Sequence, residues 1–333
     1  MTARKAEPRV NLTEWRAKLD RVSVVICTHS KQRGVEALLC VQSVRKQTLK
    51  PYEIILVLDN PDKNLRMFHA SRIPSDVTMI SSEGHGLGNA RNTGIRKATG
   101  DIVAFIDDDA TADRNWLENL IKSYENAQVV GVGGLVQAIW ENGRPIWFPE
   151  ELDWIVGCSY KGLPEHKSLL RNPIGCNMSF RRRVFEKAGY FRLKSRVDLT
   201  LLAADETEFS IRVLRRIPKA RIIYEPSALT YHRVPISRKS FRYFVKRAFY
   251  EGLSKRILET VEPTSLSLER QYLRNLIGVS VLSRMRRIGQ PKNLLQCLAL
   301  VVSILVVGMG YFFGGFGSSE WAFAEHEKGT ATA

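Results

Sequence analysis

"IVAFIDDDA" (residues 102–110) runs an apolar strand into three successive carboxylates, Asp107, Asp108 and Asp109. Like charges side by side repel, and burying them unpaired is costly. Read alone, the run favours a solvated acidic turn over a site that holds a cation. The segments around it bear on that choice. "VSVVICT" (22–28) is a continuous β-branched run, as expected of a strand covered on both faces. "VEALLCVQSVRKQ" follows with helical spacing, and "YEIILVLDN" reads as a second buried strand. A further helix, the short strand "VTMIS", the helix "NARNTGIRKAT" and the strand "DIVAFI" extend the alternation. This predicts an α/β fold with a doubly wound, mostly parallel sheet, whose ligands lie beyond the carboxyl ends of its strands. Thr28, Asp59 and the triple Asp all fall at such ends. Their placement turns the balance toward function.

The 333 residues, 44% of them apolar, suffice for a sizeable core in one or two domains. Lys and Arg exceed Asp and Glu by 50 to 34, a net +16. Such a charge implies an anionic partner: nucleic acid, an anionic membrane surface or a phosphate-bearing substrate. Between His232 and Lys292 there are 14 Lys/Arg against 4 Asp/Glu, and this stretch leads into "LLQCLALVVSILVVGMGYFFGGF" (294–316), which has no charge. That run is long enough to cross the hydrocarbon layer of a bilayer, so a transmembrane helix is expected. Arg284, Arg286, Arg287 and Lys292 place the preceding chain on the cytoplasmic side. The first 20 residues hold no apolar run that reads as a signal peptide. A single-pass cell-membrane protein is expected, its bulk cytoplasmic and its short polar tail outside. Five scattered cysteines without a CxxC pair fit reduced thiols, and neither a disulfide framework nor a zinc site.

Beyond residue 130 the alternation loosens into Gly-, Trp- and Pro-rich segments. A helix is expected over "DETEFSIRVLRR" (205–216), and strand-like pieces at "RIIYEP" and "ALTYH". "SFRYFVKRAFYEGLSKRIL" (240–258) places Phe241, Phe244, Val245, Ala248, Phe249 and Leu253 on one helical face. Arg242, Lys246, Arg247, Lys255 and Arg256 largely fill the other sides. This is either an ordinary packed helix with a solvated face or, just ahead of an apolar run, an amphipathic helix lying in the membrane interface.

Strand-end carboxylates beside a phosphate site suit Mg²⁺ or Mn²⁺, which take oxygen ligands from carboxylates and substrate phosphates. Alternate strand residues point the same way, so Asp107 and Asp109 can face one site. His232, closing "ALTYH", is a candidate further ligand, although a lone histidine is more often structural. "EGHGLGNARNTG" (83–94) is a glycine-rich loop ahead of a helix, as phosphate cradles are. It is not the dinucleotide fingerprint, because the spacing of Gly84, Gly86 and Gly88 is wrong and the loop follows the third strand. No Walker-type GK[ST] occurs. Arg91, on the first helical turn, can pair with a phosphate or hold an acidic neighbour.

Taken in order, "VSVVICT", "EIILVLDN", "GLGNARNTGI", "DIVAFIDDDA", "NMSFRRRVFEKAGYF", "ADETEFSIRVL" and the strand ending at His232 resemble the inverting glycosyltransferase family 2, with its nucleotide-sugar-binding GT-A fold. The resemblance spans residues 20 to 235. It implies that Thr28 and Asp59 hold the base and ribose, and that Arg91, Asp107 and Asp108 lie on the nucleotide-sugar side. Asp107 and Asp109 would form the family's D-x-D, with Asp107, Asp109 and His232 around Mg²⁺ or Mn²⁺. Asp205–Glu206 matches the place of the catalytic base. Many members read Glu-Asp there, so Glu206 is the preferred base and Asp205 the second choice. "ELDWIVGCSYKGLP", "RNPIGCNMSFRR" and the C-terminal apolar run are similar to the archaeal-type glucosyl-dolichyl-phosphate glucuronosyltransferases. That similarity implies UDP-glucuronate as donor and a polyprenyl-phosphate-linked sugar as acceptor.

The expected organisation is an N-terminal extension (1–20), a GT-A domain (21–235), a basic helical membrane-proximal segment (236–292), a transmembrane helix (293–317) and a polar tail (318–333). Phe241, Phe244, Phe249, Arg242, Lys246 and Arg247 would form its membrane and acceptor side. Three rivals stand beside this reading. A polyprenyl-phosphate sugar synthase needs no general base, so the acidic pair speaks against it. A membrane-tethered nucleic-acid binder would carry a basic-aromatic platform, which is not found, and no nucleic-acid partner is expected. A catalytically silent nucleotide-sugar module would not need Asp107, Asp109 and Glu206.

Overall fold

The computed structural model describes residues 21–29, 33–59, 72–194, 205–261, 267–315 and 323–324. Its first half follows the alternation read from the sequence: β1 (Val22–Thr28), α1 (Gly34–Arg45), β2 (Glu53–Leu58), β3 (Val77–Ser81), α2 (Leu87–Lys97) and β4 (Ile102–Asp107). The helix expected between β2 and β3 falls on residues 60–71 and lies outside the described residues. β1 pairs in parallel with both β2 and β4, and β2 with β3. Side chains alternate across these strands. Val24, Ile26, Leu56, Ala104 and Ile106 belong to the core on the α1 side. Val25, Ile55, Val57, Val103 and Phe105 belong to the core that includes Ala90 and Ile95 of α2. Burial on both faces is why these strands read as unbroken apolar runs.

The remaining elements are β5 (Ala110–Ala112), α3 (Trp116–Lys122), β6 (Val129–Trp140), β7 (Ser168–Leu170), β8 (Asn177–Arg181), α4 (Arg183–Ala188), β9 (Leu193–Lys194), α5 (Asp205–Arg216) and β10 (Arg221–Val234). Among the described residues the main sheet runs β3-β2-β1-β4-β8-β6-β10-β5, with β7 also on β10. β8 is antiparallel to both β4 and β6, while β6 and β10 are parallel. The parallel half is as expected, and the other half is mixed. A parallel neighbour needs a long crossover, usually a helix. Between β6 and β8 the described chain offers the short strand β7 and, as its one helical piece, a 3₁₀ segment at Glu150–Val156. The pieces "RIIYEP" and "ALTYH" are one strand, β10, whose register against β6 shifts between Glu225 and Leu229. Pro226 lies in that bulge, where a missing N–H is tolerated.

Four α-helices follow β10 in the described chain: α6 (Phe241–Val261), α7 (Ser267–Asn275), α8 (Leu282–Met285) and α9 (Pro291–Gly314). Leu276–Val281, between α7 and α8, is π-helical. α9 is long and apolar enough to cross a membrane. α6 decides between the two readings of residues 240–258 in favour of packing. Phe244 is fully buried, with ring centroids 5.3 Å from Trp147 and 5.9 Å from Phe148. Phe249 packs against Phe313 of α9 at 6.3 Å. A free Phe241/Phe244/Phe249 membrane face is therefore corrected: of the six residues assigned to the membrane side, Phe241, Arg242 and Lys246 are exposed. Arg247 is half-buried and faces Glu251 at 3.4 Å. Phe244→Ala should destabilise the domain by about 3–5 kcal/mol, because it empties a core position between two aromatic rings. Thermal unfolding in detergent checks this, and a melting point equal to wild type would contradict the packing.

Candidate active site

β4 ends at Asp107, the chain turns through Asp108 and Asp109, and β5 begins at Ala110. β5 then pairs antiparallel with β10, setting Ala110 opposite His232. The Arg233 amide donates to the Asp109 carbonyl at 2.9 Å. This two-stranded closure brings a histidine 123 positions downstream (232 against 109) beside the acidic turn. His232 Nε2 lies 3.2 Å from Asp109 Oδ1. Asn177, at the start of β8, supports the same corner. Its amide donates to the carbonyls of Leu135 and Ala228, and it accepts from Trp116 Nε1 at 2.8 Å.

The three carboxylates are compensated by three arginines of the chain itself. Arg33 Nη1 lies 2.9 Å from Asp108 and 3.2 Å from Asp109. Arg238 Nη2 lies 3.8 Å from Asp109, and Arg91 Nη2 lies 3.6 Å from Asp107. Burial works to raise the Asp109 carboxyl, yet the His232 bond and the charges of His232, Arg33 and Arg238 hold it well below the usual carboxylate range. Burial also opposes a charge on His232, but its bonds to Asp109 and Cys158 push it up to about 10. For Asp107 and Asp108 burial prevails and raises the carboxyl, against the pull of Arg91 and Arg33 respectively. The acidic run therefore tolerates itself through arginines from three separate segments, before any metal is considered.

Arg91 joins the acidic turn to the proposed base. It is buried in α2, and its Nη1 lies 3.9 Å from Glu206 Oε2. Arg91 thus has acidic neighbours, Asp107 and Glu206, as one of its two expected roles requires. Asp205 opens α5 as a buried residue, and Glu206, more exposed, turns toward Arg91. Asp59 follows β2 and accepts the Gly86 amide on both carboxylate oxygens, at 2.9 and 3.0 Å. Gly86 has φ 91°, a conformation that favours glycine, so this contact pins the glycine-rich loop at the mouth of α2. Thr28, the last residue of β1, is buried beside Asp108.

The donor atoms of Asp107, Cys176 and His232 lie within 4.8 Å of one another. Burial raises the Cys176 thiol well above its ordinary range, so it stays protonated and offers little to a hard cation. Asp107 and His232 remain of that cluster, and Asp109, 3.2 Å from His232, adds a second carboxylate beside it, a donor set that suits Mn²⁺ or Mg²⁺. Sequence reasoning missed Arg33, Arg238 and Cys176. Arg33 sits in the loop after the first strand, where a switch-point ligand is expected. That position was its one signal.

The family described as Glycosyl transferase family 2 matches residues 23–189, and the chain belongs to it. It is a glycosyltransferase with a GT-A-like fold. Over 306 residues it is 35% identical to the glucosyl-dolichyl phosphate glucuronosyltransferase of Haloferax volcanii, covering 88% of this chain and 96% of that one. It is 23% identical to the succinoglycan biosynthesis protein ExoM of Rhizobium meliloti, covering 69% of this chain and 72% of that one. A crystal structure of GalNAc-T7 with UDP, GalNAc and Mn²⁺ superposes on 77% of this chain and 54% of that one, with TM-score 0.49 and 16% identity.

Proposed function

We propose that this glycosyltransferase moves glucuronate from UDP-glucuronate to a hydroxyl of a sugar already linked to a polyprenyl phosphate, inverting the anomeric centre. The observation that carries this is the 35% identity, over 88% of this chain and 96% of the relative, with a glucosyl-dolichyl phosphate glucuronosyltransferase. The strand-end site supports it, since a nucleotide-sugar donor belongs beyond the carboxyl ends of β1, β2 and β4. In this reading Thr28 and Asp59 hold the base and ribose, with Arg91 and Asp108 on the nucleotide-sugar side. Asp107, Asp109 and His232 would hold Mg²⁺ or Mn²⁺. Bound there, the ion would act as a Lewis acid that stabilises charge on the leaving diphosphate.

Glu206 is the base. It accepts the proton of the acceptor hydroxyl as that oxygen attacks C1 from the face opposite the nucleotide. The new O–C1 bond forms as the C1–O bond to phosphate breaks, and UDP leaves with the electron pair. Arg91, 3.9 Å away, keeps the Glu206 carboxylate oriented. Asp205 is the second choice. The protein works at the cell membrane with its catalytic domain (21–235) on the cytoplasmic face, tied to lipid by the basic helical segment (236–292) and the apolar helix (293–317).

Purified protein offered a panel of UDP- and GDP-sugars with polyprenyl-phosphate-linked glucose should transfer only from UDP-glucuronate. Mass spectrometry of the lipid product reads this directly. Transfer to bare polyprenyl phosphate in place of the lipid-linked sugar would replace the reading with a synthase whose nucleophile is the phosphate.

A further inference from the structure

From the packing of α9 we infer that this helix lies in the plane of one membrane leaflet, on an anionic lipid surface, and does not cross the bilayer. Its length alone would allow crossing: 24 residues span about 36 Å, against about 30 Å of hydrocarbon. Its neighbours do not. Near its start, the Gln296 amide donates to the Ile146 carbonyl of the catalytic domain at 3.2 Å. Near its end, Gly310 and Gly252 of α6 meet backbone to backbone, so closely that a Cβ on either would collide with the other helix. Gly314 sits on Leu253 and Arg256, and Tyr311 bonds Glu259.

At this same level α6 is tied to the catalytic domain by charge. Lys255 Nζ lies 2.8 Å from Glu269, and Arg171, just beyond β7, grips the same carboxylate with two bonds of 2.8 Å. Those cations hold Glu269 down to about 2, so the cluster is charged at any physiological pH. Both ends of α9 are thus level with the catalytic domain. A crossing along its length would put Lys255, Glu269 and Arg171 at hydrocarbon depth, where charge is costly.

The exposure pattern fits a helix lying flat. Gln296, Leu300, Ser303, Gly310 and Gly314 are buried on the protein side. Leu298, Val301, Leu305, Met309 and Phe312 are 42–62% exposed and recur every three or four residues on the other side. One apolar stripe beside protein is what an in-plane helix shows. Cations border it. Arg242 and Lys246 line a groove with Val245, Phe249, Val306 and Met309, Arg286 and Arg287 are exposed just before the helix, and Lys292 is exposed in its first turn. They match the phosphates of an anionic leaflet.

Two measurements on the full chain test this without reference to turnover, so their failure leaves the glucuronosyl reading untouched. With a protease-cleavable tag at each terminus, sealed vesicles treated from one side should lose both tags together. Protection of the C-terminal tag while the N-terminal one is cut would overturn the inference. Spin labels at Leu298→Cys, Leu305→Cys and Phe312→Cys should report one common depth. A depth gradient approaching the roughly 20 Å of helix between the outer two labels would mean a crossing helix.

Discussion

Asp109→Asn is expected to slow glycosyl transfer on the order of a thousandfold while the protein stays folded. The size follows from weakening the hold on the divalent cation that would offset charge on the departing diphosphate, a loss of several kcal/mol in the transition state. Asparagine keeps the shape and can still accept a bond from His232. Alanine is a poorer test, because it strips His232, Arg33 and Arg238 of their shared carboxylate and leaves buried cations facing one another. Initial rates at saturating donor, with circular dichroism as the check on folding, measure the effect. EDTA should abolish turnover in the wild type, and added Mn²⁺ or Mg²⁺ should restore it. A variant with near-normal rates, or an enzyme indifferent to EDTA, would remove Asp109 and the metal from the reaction.

The second large effect is expected at Glu206. Glu206→Gln keeps volume and hydrogen bonding but removes basicity, so kcat should fall by about 10²–10⁴ with the donor KM nearly unchanged. Its position argues for it over Asp205: Glu206 faces Arg91, which itself contacts Asp107 at 3.6 Å, so Glu206 and the acidic turn share one buried arginine. Asp205 is the more deeply buried of the pair. If Asp205→Asn is the crippling change and Glu206→Gln is mild, the assignment within the pair reverses. If both are mild, an acceptor that needs no base, such as a lipid phosphate, becomes the better explanation.

The sequence by itself determined what depends on local periodicity and composition. Unbroken β-branched runs marked β1, β2 and β4, because a strand buried on both faces shows no alternation. Helical spacing marked α1, α2 and α5. The uncharged run 294–316 marked α9, since no soluble surface pattern interrupts it. Strand-end carboxylates pointed to the site because open α/β sheets bind ligands at those ends. Tertiary structure alone decided the rest. That Arg33, Arg91 and Arg238 neutralise the acidic turn depends on side chains meeting from three distant segments, and no spacing rule records such a meeting. His232 reaches Asp109, 123 positions away (232 against 109), only through the β5–β10 ladder. The mixed half of the sheet follows from a connection too irregular to form a helical crossover. The aromatic face of α6 reads the same whether it meets lipid or protein, since both are apolar. Only the presence of Trp147, Phe148 and Phe313 around it, and of Gly252 against Gly310, shows that protein is what it meets.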